Sequence, residues 1–279
     1  MKFYMSYWSG GYLKKPEPYL INYHKLCAHY IIQNHGEVHL ITDSNAKKCF
    51  KDIPYTTVTT ELDSLSSNLN WALGKLYTYK KLSQQGDPFL HVDYDVFAKQ
   101  PFPESKLSSS VLVQSTEMIL PPDRWNDMDT FYKYCPNKGY CNRDDVNDIS
   151  YNTGIFGGND LEFINKYATS AFDLSIDPAN QDGYAKMNQN GECWYLPTIF
   201  LEQYYLYQCS KKFNVGITTL LRGGDYDSYW FDYDMRQLEY VHINDLKDRN
   251  GYKAFKEKGH NKIVQLVNRK LKEAGIEIA

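Results

Sequence analysis

The sequence predicts an α/β fold, with a mostly parallel central sheet flanked by helices and closed by an amphipathic C-terminal helix. Three observations carry that prediction. Residues 2–43 read as strand, helix and strand, and two strands joined by a helix lie parallel with a right-handed crossover. Strand-like runs at 89–97 and 149–158 recur between helical stretches. The length, 279 residues, suits one large α/β domain or two small ones.

Composition narrows the class. The chain is 42% hydrophobic and 23% charged, ordinary for a globular protein. A net charge of −3 leaves no electrostatic footprint for nucleic acid. Aromatics make up 15% of the residues, with 25 tyrosines, and their flat faces with polar tips suit sugar rings and bases as well as cores. The first eight residues are too short and too polar for a signal peptide, and no window is long and apolar enough to span a membrane. The six cysteines have neither CxxC pairing nor zinc spacing, so free thiols in a reducing cytosol are expected. Cys135 and Cys141 are near enough in sequence to close a small loop. Together these predict a soluble cytoplasmic protein.

Residues 2–8 alternate as a first strand, and Ser9-Gly10-Gly11 follows as a flexible turn at its carboxyl end. Open α/β sheets place their ligand-contacting loops at that end. Tyr7 and Trp8 there either stack on a nucleotide base or belong to the core. Pro18 opens a helix to about Gln33, with Leu20, Cys27 and Ile31 on one face and Asn34-His35-Gly36 as its stop. Val38–Asp43 is the second strand, and Asp43 either hydrogen-bonds a base or ribose or forms a turn. A short strand near Tyr55–Val58 follows. Ser66-Ser67-Asn68 offers N-caps for a helix from Leu69 to Leu82. Leu69, Ala72, Leu73 and Leu76 make one apolar face, and Trp71, Lys75 and Leu82 lie on another. Lys75 then points into a covered place and needs an anionic partner.

The run Phe89 to Phe97 climbs from apolar residues into Asp93-Tyr94-Asp95. Alternation in a strand sends both carboxylates to the same side. They are either a solvated strand end or two charges held together by a cation, for which a divalent metal is the obvious candidate. Val111–Gln114 is a further strand, and residues 117–148 form a connection long enough for a lid or binding loop. Ile149–Gly158 alternates, carries Asn152-Thr153-Gly154 and ends on paired glycines, which mark close approach of a ligand or another backbone. Asn159-Asp160 caps a helix to about Phe172. Pro197 starts a helix in which Glu202, among apolar neighbours, is a solvated edge or a placed catalytic group. Ile217–Leu221 is strand-like, and an aromatic, acidic loop runs from Asp225 to Asp234. His242 then sits at a strand end, with Lys247 five residues on. Asn261–Ala274 is amphipathic, with Ile263, Leu266, Val267 and Leu271 inward and a basic surface that permits at most peripheral contact with anionic lipid.

In this order, Lys75, Asp93-Tyr94-Asp95, Tyr151-Asn152-Thr153-Gly154, Glu202, His242 and Lys247 resemble the metal-dependent, nucleotide-sugar-using glycosyltransferases of GT-A fold. The likeness is to the retaining, glycogenin-like group and to enzymes with a DXD sugar-binding region. It spans almost the whole chain and implies a single GT-A, Rossmann-like domain over residues 1–279. Its nucleotide-binding half would be 1–97, its acceptor-binding half 98–250 and its C-terminal helix 251–279. The resemblance implies that Asp95 and His242 ligate Mn²⁺ or Mg²⁺, while Asp93 binds the donor ribose or sugar and reaches the metal. Lys75 and Lys247 would neutralise the diphosphate or hold the sugar. Tyr7, Trp8 and Asp43 would line the donor site. Asn152 would hydrogen-bond donor or acceptor hydroxyls, and Glu202 would face the anomeric carbon or the acceptor. The implied donor is a UDP-sugar, transferred with retention to a saccharide, lipid-linked or protein acceptor, without nucleic acid.

There are departures. Relatives usually have a glycine between the late His and Lys, whereas Ile243-Asn244-Asp245-Leu246 intervenes here and Asp248-Arg249 follows, which makes Arg249 an alternative to Lys247. The upstream basic position, Lys75 here, is often Arg. A haloacid-dehalogenase-like phosphatase would want Thr or Val two residues past the second Asp, where Phe97 stands, and an N-terminal motif. A sugar nucleotidylyltransferase would open on a basic glycine-rich loop that Ser9-Gly10-Gly11-Tyr12 does not match. A non-catalytic carbohydrate- or nucleotide-binding protein on this scaffold would be expected to have lost metal ligands, and Asp93, Asp95 and His242 are present.

Overall fold

Alternation in β1 (Lys2–Tyr7) sends Phe3, Met5 and Tyr7 into one apolar core and Tyr4 towards another, so the sheet is built to be covered on both faces. The protein is described here by a computed structural model covering residues 1–12, 16–66, 72–118, 131–142, 149–189, 196–221, 240–243 and 255–279. Beside β1 lie β2 (His39–Thr42) and β4 (Phe89–Val92), with β3 (Thr57–Thr59) on the far side of β2; the chain continues through β5 (Val96–Ala98), β6 (Leu112–Met118), β7 (Ile149–Gly158), β8 (Thr218–Thr219) and β9 (Tyr240–His242). Among the described residues, seven strands form one sheet in the order β3-β2-β1-β4-β7-β6-β8, and β5 pairs with β9 in a second, two-stranded sheet. Among the described residues, β7 alone runs against its neighbours in the large sheet, β4 and β6, and every other pairing there is parallel. The α/β class with a mostly parallel sheet flanked by helices is therefore what the chain has.

The helix Pro18–His35 covers one face, burying Leu20, Cys27 and Ile31 as their spacing predicts, and ends at Gly36 with φ 89°. The C-terminal helix Phe255–Glu273 packs on the same face through Val267 and Leu271, with Ile263 and Leu266 partly buried. The helices Leu73–Gln85 and Leu161–Ile176 cover the other face. Asp160 caps the second of these by accepting from the Phe163 N–H. Each fully buried Leu or Ile in these layers contributes about 1.5–3 kcal/mol.

Several local expectations shift. Ser9–Tyr12 is a short helical turn, fixed by the Asp43 carboxylate, which accepts from the Ser9 N–H (2.5 Å) and hydroxyl (2.9 Å). The helix expected from Leu69 begins at Leu73; Leu69, Trp71 and the N-caps Ser67 and Asn68 lie outside the described residues. Asp93-Tyr94-Asp95 does not continue the strand. The ladder of β4 ends at Val92, and the Val96 N–H closes a turn on the Asp93 carbonyl at 3.0 Å before β5 begins. The five cysteines in described segments are free, Cys135 and Cys141 included. No helix among the described residues is long and apolar enough to cross a membrane.

The glycines of β7 divide by purpose. A β-carbon on Gly157 would sit 2.0 Å from the carbonyl oxygen of Phe89, so this glycine exists for close packing of β7 on β4. Gly154 lies instead in an irregularity: between the pairs Val113–Phe156 and Ser115–Asn152, three residues of β7 stand opposite Gln114 alone. Asn152 supports this bulge, its side-chain oxygen accepting the Gly154 N–H at 2.8 Å.

Candidate metal and donor site

The acidic turn lies at the carboxyl end of β4, where the parallel strands β1 and β2 also end. Its partner arrives by the second sheet. Antiparallel pairing sets His242 opposite Val96, and the Ile243 N–H donates to the Asp95 carbonyl at 3.2 Å. An imidazole 147 residues downstream is thereby laid against the turn: His242 Nε2 is 3.5 Å from Asp95 Oδ1. One ligand atom from each of Asp93, Asp95 and His242 falls within a span of 4.8 Å. Asp95 is fully buried, the His242 side chain 5% exposed and the Asp93 side chain 20% exposed, so the group is not a rim of solvated carboxylates.

Lys75 projects from the first turn of its helix into the same place. Its ammonium bonds Asp93 Oδ2 at 2.8 Å and Glu202 Oε1 at 2.5 Å. These are the anionic partners that its covered position required. Burial alone would push the ammonium down, but Asp93 and then Glu202 more than offset it and hold it above the usual lysine range.

Glu202 reaches Lys75 from a stretch that is not plain α-helix. Between the helical turns Leu196–Ile199 and Tyr205–Phe213, residues Phe200–Tyr204 form a π-turn, a form that often appears at functional positions. The Tyr167 hydroxyl pins it by donating to the Glu202 carbonyl at 2.7 Å, and the Thr153 hydroxyl donates to the Glu202 carboxylate. Below the turn, His91 is fully buried, with Nε2 2.9 Å from the Ser6 hydroxyl and Nδ1 3.7 Å from Asp93 Oδ1. Burial, and then the nearby Lys75 charge, hold this imidazole well below its ordinary range, so at neutral pH it is an uncharged prop for Asp93.

The structure thus gathers Asp93, Asp95, His242, Lys75 and Glu202 into one cluster, with Asn152 shaping the strand beneath it. Three further expected residues are engaged in contacts of their own. The Tyr7 ring packs against His24, Phe50 and Tyr94. Trp8 is wedged between Gly10 and Gly74, where a β-carbon on Gly74 would be 2.6 Å from its own, so it seats the helix that carries Lys75. The Asp43 carboxylate accepts from Ser9 and from the Asn45 and Ala46 amides. Lys247 and Arg249 lie outside the described residues, as does the Asp225–Asp234 loop. Sequence reasoning missed Thr153, Gln114 and His91. The visible signals were a Thr between Asn and Gly, and lone polar residues in otherwise apolar strands.

Formally, Asp93, Asp95 and Glu202 bring three negative charges against the one positive charge of Lys75. The excess of two, with two carboxylates and an imidazole as donors, fits a divalent cation and leaves positions open for further oxygen ligands.

A family model described as a family of unknown function, DUF6734, matches residues 1–265, and the chain belongs to that family. No curated protein matches the chain. Among solved structures, mouse xyloside xylosyltransferase 1 in its apo form is similar with a TM-score of 0.40 and 9% sequence identity, over 78% of this chain and 84% of that one.

Proposed function

We propose that this protein is a metal-dependent glycosyltransferase that moves a sugar from a nucleotide-sugar donor, a UDP-sugar by resemblance, to an acceptor. One observation carries the reading. Asp93, Asp95 and His242 converge within 4.8 Å where parallel strands end, beside a lysine that joins Asp93 to Glu202. Such an arrangement answers the charge of a diphosphate, which needs a divalent ion and an ammonium together.

In this reading Asp95, His242 and Asp93 hold Mn²⁺ or Mg²⁺. When bound, the ion supplies Lewis-acid stabilisation to charge on the departing diphosphate. Asp93 also receives donor hydroxyls from the ribose or sugar. Lys75 keeps Asp93 and Glu202 in fixed orientation and lends its charge to the donor's phosphate side, a task that Lys247 or Arg249 shares. Glu202 faces the anomeric carbon or the acceptor, and Asn152 orients the bulge of β7 that floors this space. The supported role for Tyr7, Trp8 and Asp43 is to shape the edge of the donor site, because their side chains are taken up by packing and hydrogen bonds. Retention of configuration, one domain spanning 1–279, residues 117–148 and 225–234 as acceptor-facing loops and a cytoplasmic location complete the proposal.

Incubation with Mn²⁺ and a panel of nucleotide sugars tests it, with hydrolysis or transfer followed by release of the nucleoside diphosphate. If no donor turns over and none binds in a metal-dependent way, the reading falls.

A further inference from the structure

Gln114 is a carboxamide buried at the end of an apolar run. It is 2% exposed, and among the described residues neither its side-chain oxygen nor its nitrogen has a hydrogen-bond partner. It follows three buried apolar residues, Val111, Leu112 and Val113, in a place where an unmet amide group is costly. Its backbone is fixed, since the Gln114 carbonyl accepts the Leu221 N–H at 2.8 Å. The side chain is aimed at Gly154. A β-carbon built on that glycine would lie 2.4 Å from Gln114 Oε1 and 2.6 and 2.7 Å from His242 Cε1 and Nδ1. The carboxamide oxygen and the imidazole thus flank the same small gap, which is open because residue 154 has no side chain. The opposite ring nitrogen, Nε2, is the one 3.5 Å from Asp95.

From this geometry we infer that Gln114 is the positioning residue for His242: its Oε1 accepts the imidazole Nδ1–H and so fixes the tautomer whose Nε2 faces Asp95 and a divalent cation. Imidazoles that bind metals almost always donate their second N–H to an oxygen, and that bond sets both tautomer and ring angle. The bulge of β7 places Gly154 here, and its lack of a side chain leaves Gln114 and His242 on either side of one position. The inference rests on the metal reading of the acidic turn and adds to it a neutral outer partner.

The test compares wild type with Gln114→Leu and Gln114→Glu in Mn²⁺ titrations by calorimetry. In parallel, long-range ¹H–¹⁵N spectra of the metal-free wild type report the tautomer of His242. The leucine variant is expected to bind Mn²⁺ about 10–100-fold more weakly. The glutamate variant, which keeps an acceptor oxygen at the same reach, should stay within a few-fold of wild type or bind more tightly. The spectrum should show the ring proton on Nδ1. Equal Mn²⁺ affinity in wild type and the leucine variant, or a proton on Nε2, overturns this assignment and leaves the metal reading standing. A wild type that binds no Mn²⁺ overturns both. Should the leucine variant not fold, the wild-type spectrum alone decides.

Discussion

Replacing Lys75 by Met keeps the length and apolar stem of the side chain and removes only the charge. What remains is Asp93 and Glu202, both mostly buried, with the cation that held them 2.8 and 2.5 Å away now missing. At an effective dielectric near 20 each such contact is worth about 4 kcal/mol or more at these distances, against which stands the cost of burying the ammonium. Removing one partner of a buried ionic group costs about 3–5 kcal/mol, since the survivors stay desolvated. For a chain of this size that corresponds to a fall in Tm of roughly 10 °C. The pH dependence has a definite sign. The folded-state pKa of Lys75 lies above its ordinary 10.5, so its contribution is complete below that pH and is lost only as pH rises through the folded value. The gap between wild type and variant should therefore be flat from pH 6 to pH 9. Added Mn²⁺ should raise the Tm of the variant by more than that of wild type, because the variant has one more unmatched negative charge for the ion to neutralise. Thermal melting followed by circular dichroism, with and without Mn²⁺, reads all of this. Equal Tm values for the two proteins without metal would refute the charge argument.

Asp95→Asn should abolish metal-dependent donor binding while leaving a cooperative melt; unchanged Mn²⁺ affinity in a calorimetric titration would take Asp95 out of the site. Gly154→Ala and Gly157→Ala should part company. The first pushes on Gln114 and His242 side chains and is expected to weaken Mn²⁺ binding at least tenfold with modest loss of stability. The second drives a methyl against the Phe89 carbonyl and should mainly lower Tm; the reverse pattern would contradict the geometry. Acid should weaken the fold through His24, which is fully buried, bonded to the Tyr55 hydroxyl at 2.8 Å and pushed by burial down to about 3. Its unfolded-state value is 6.5, so stability is complete above that pH and declines as pH falls towards 3, by at most roughly 5 kcal/mol. His24→Gln should flatten the Tm–pH curve between pH 6.5 and pH 4, and an unchanged slope would count against this role.

Local pattern was enough wherever one element's own periodicity decides what it buries. The alternation of Phe3, Met5 and Tyr7, the face shared by Leu20, Cys27 and Ile31, and the inward set on the last helix could be read directly, since each follows from a repeat of two or 3.6 residues. The covered position of Lys75 was legible for the same reason. Its partners were not: Glu202 is 127 residues away, and nothing in the spacing of either residue encodes that contact.

The acidic pair shows the division most clearly. The sequence by itself determined that two carboxylates one residue apart, after an apolar strand, need a cation or solvent. The tertiary structure decided that they stand in a turn and not in a strand, because the β4 ladder stops at Val92. It also decided that His242 reaches Asp95 through the pairing of β5 with β9, that Lys75 supplies one charge, and that Gln114 faces His242 across Gly154. Those contacts depend on strand register and on a bulge, which are set by how distant segments pack together. A residue's identity and its neighbours in sequence carry no record of them.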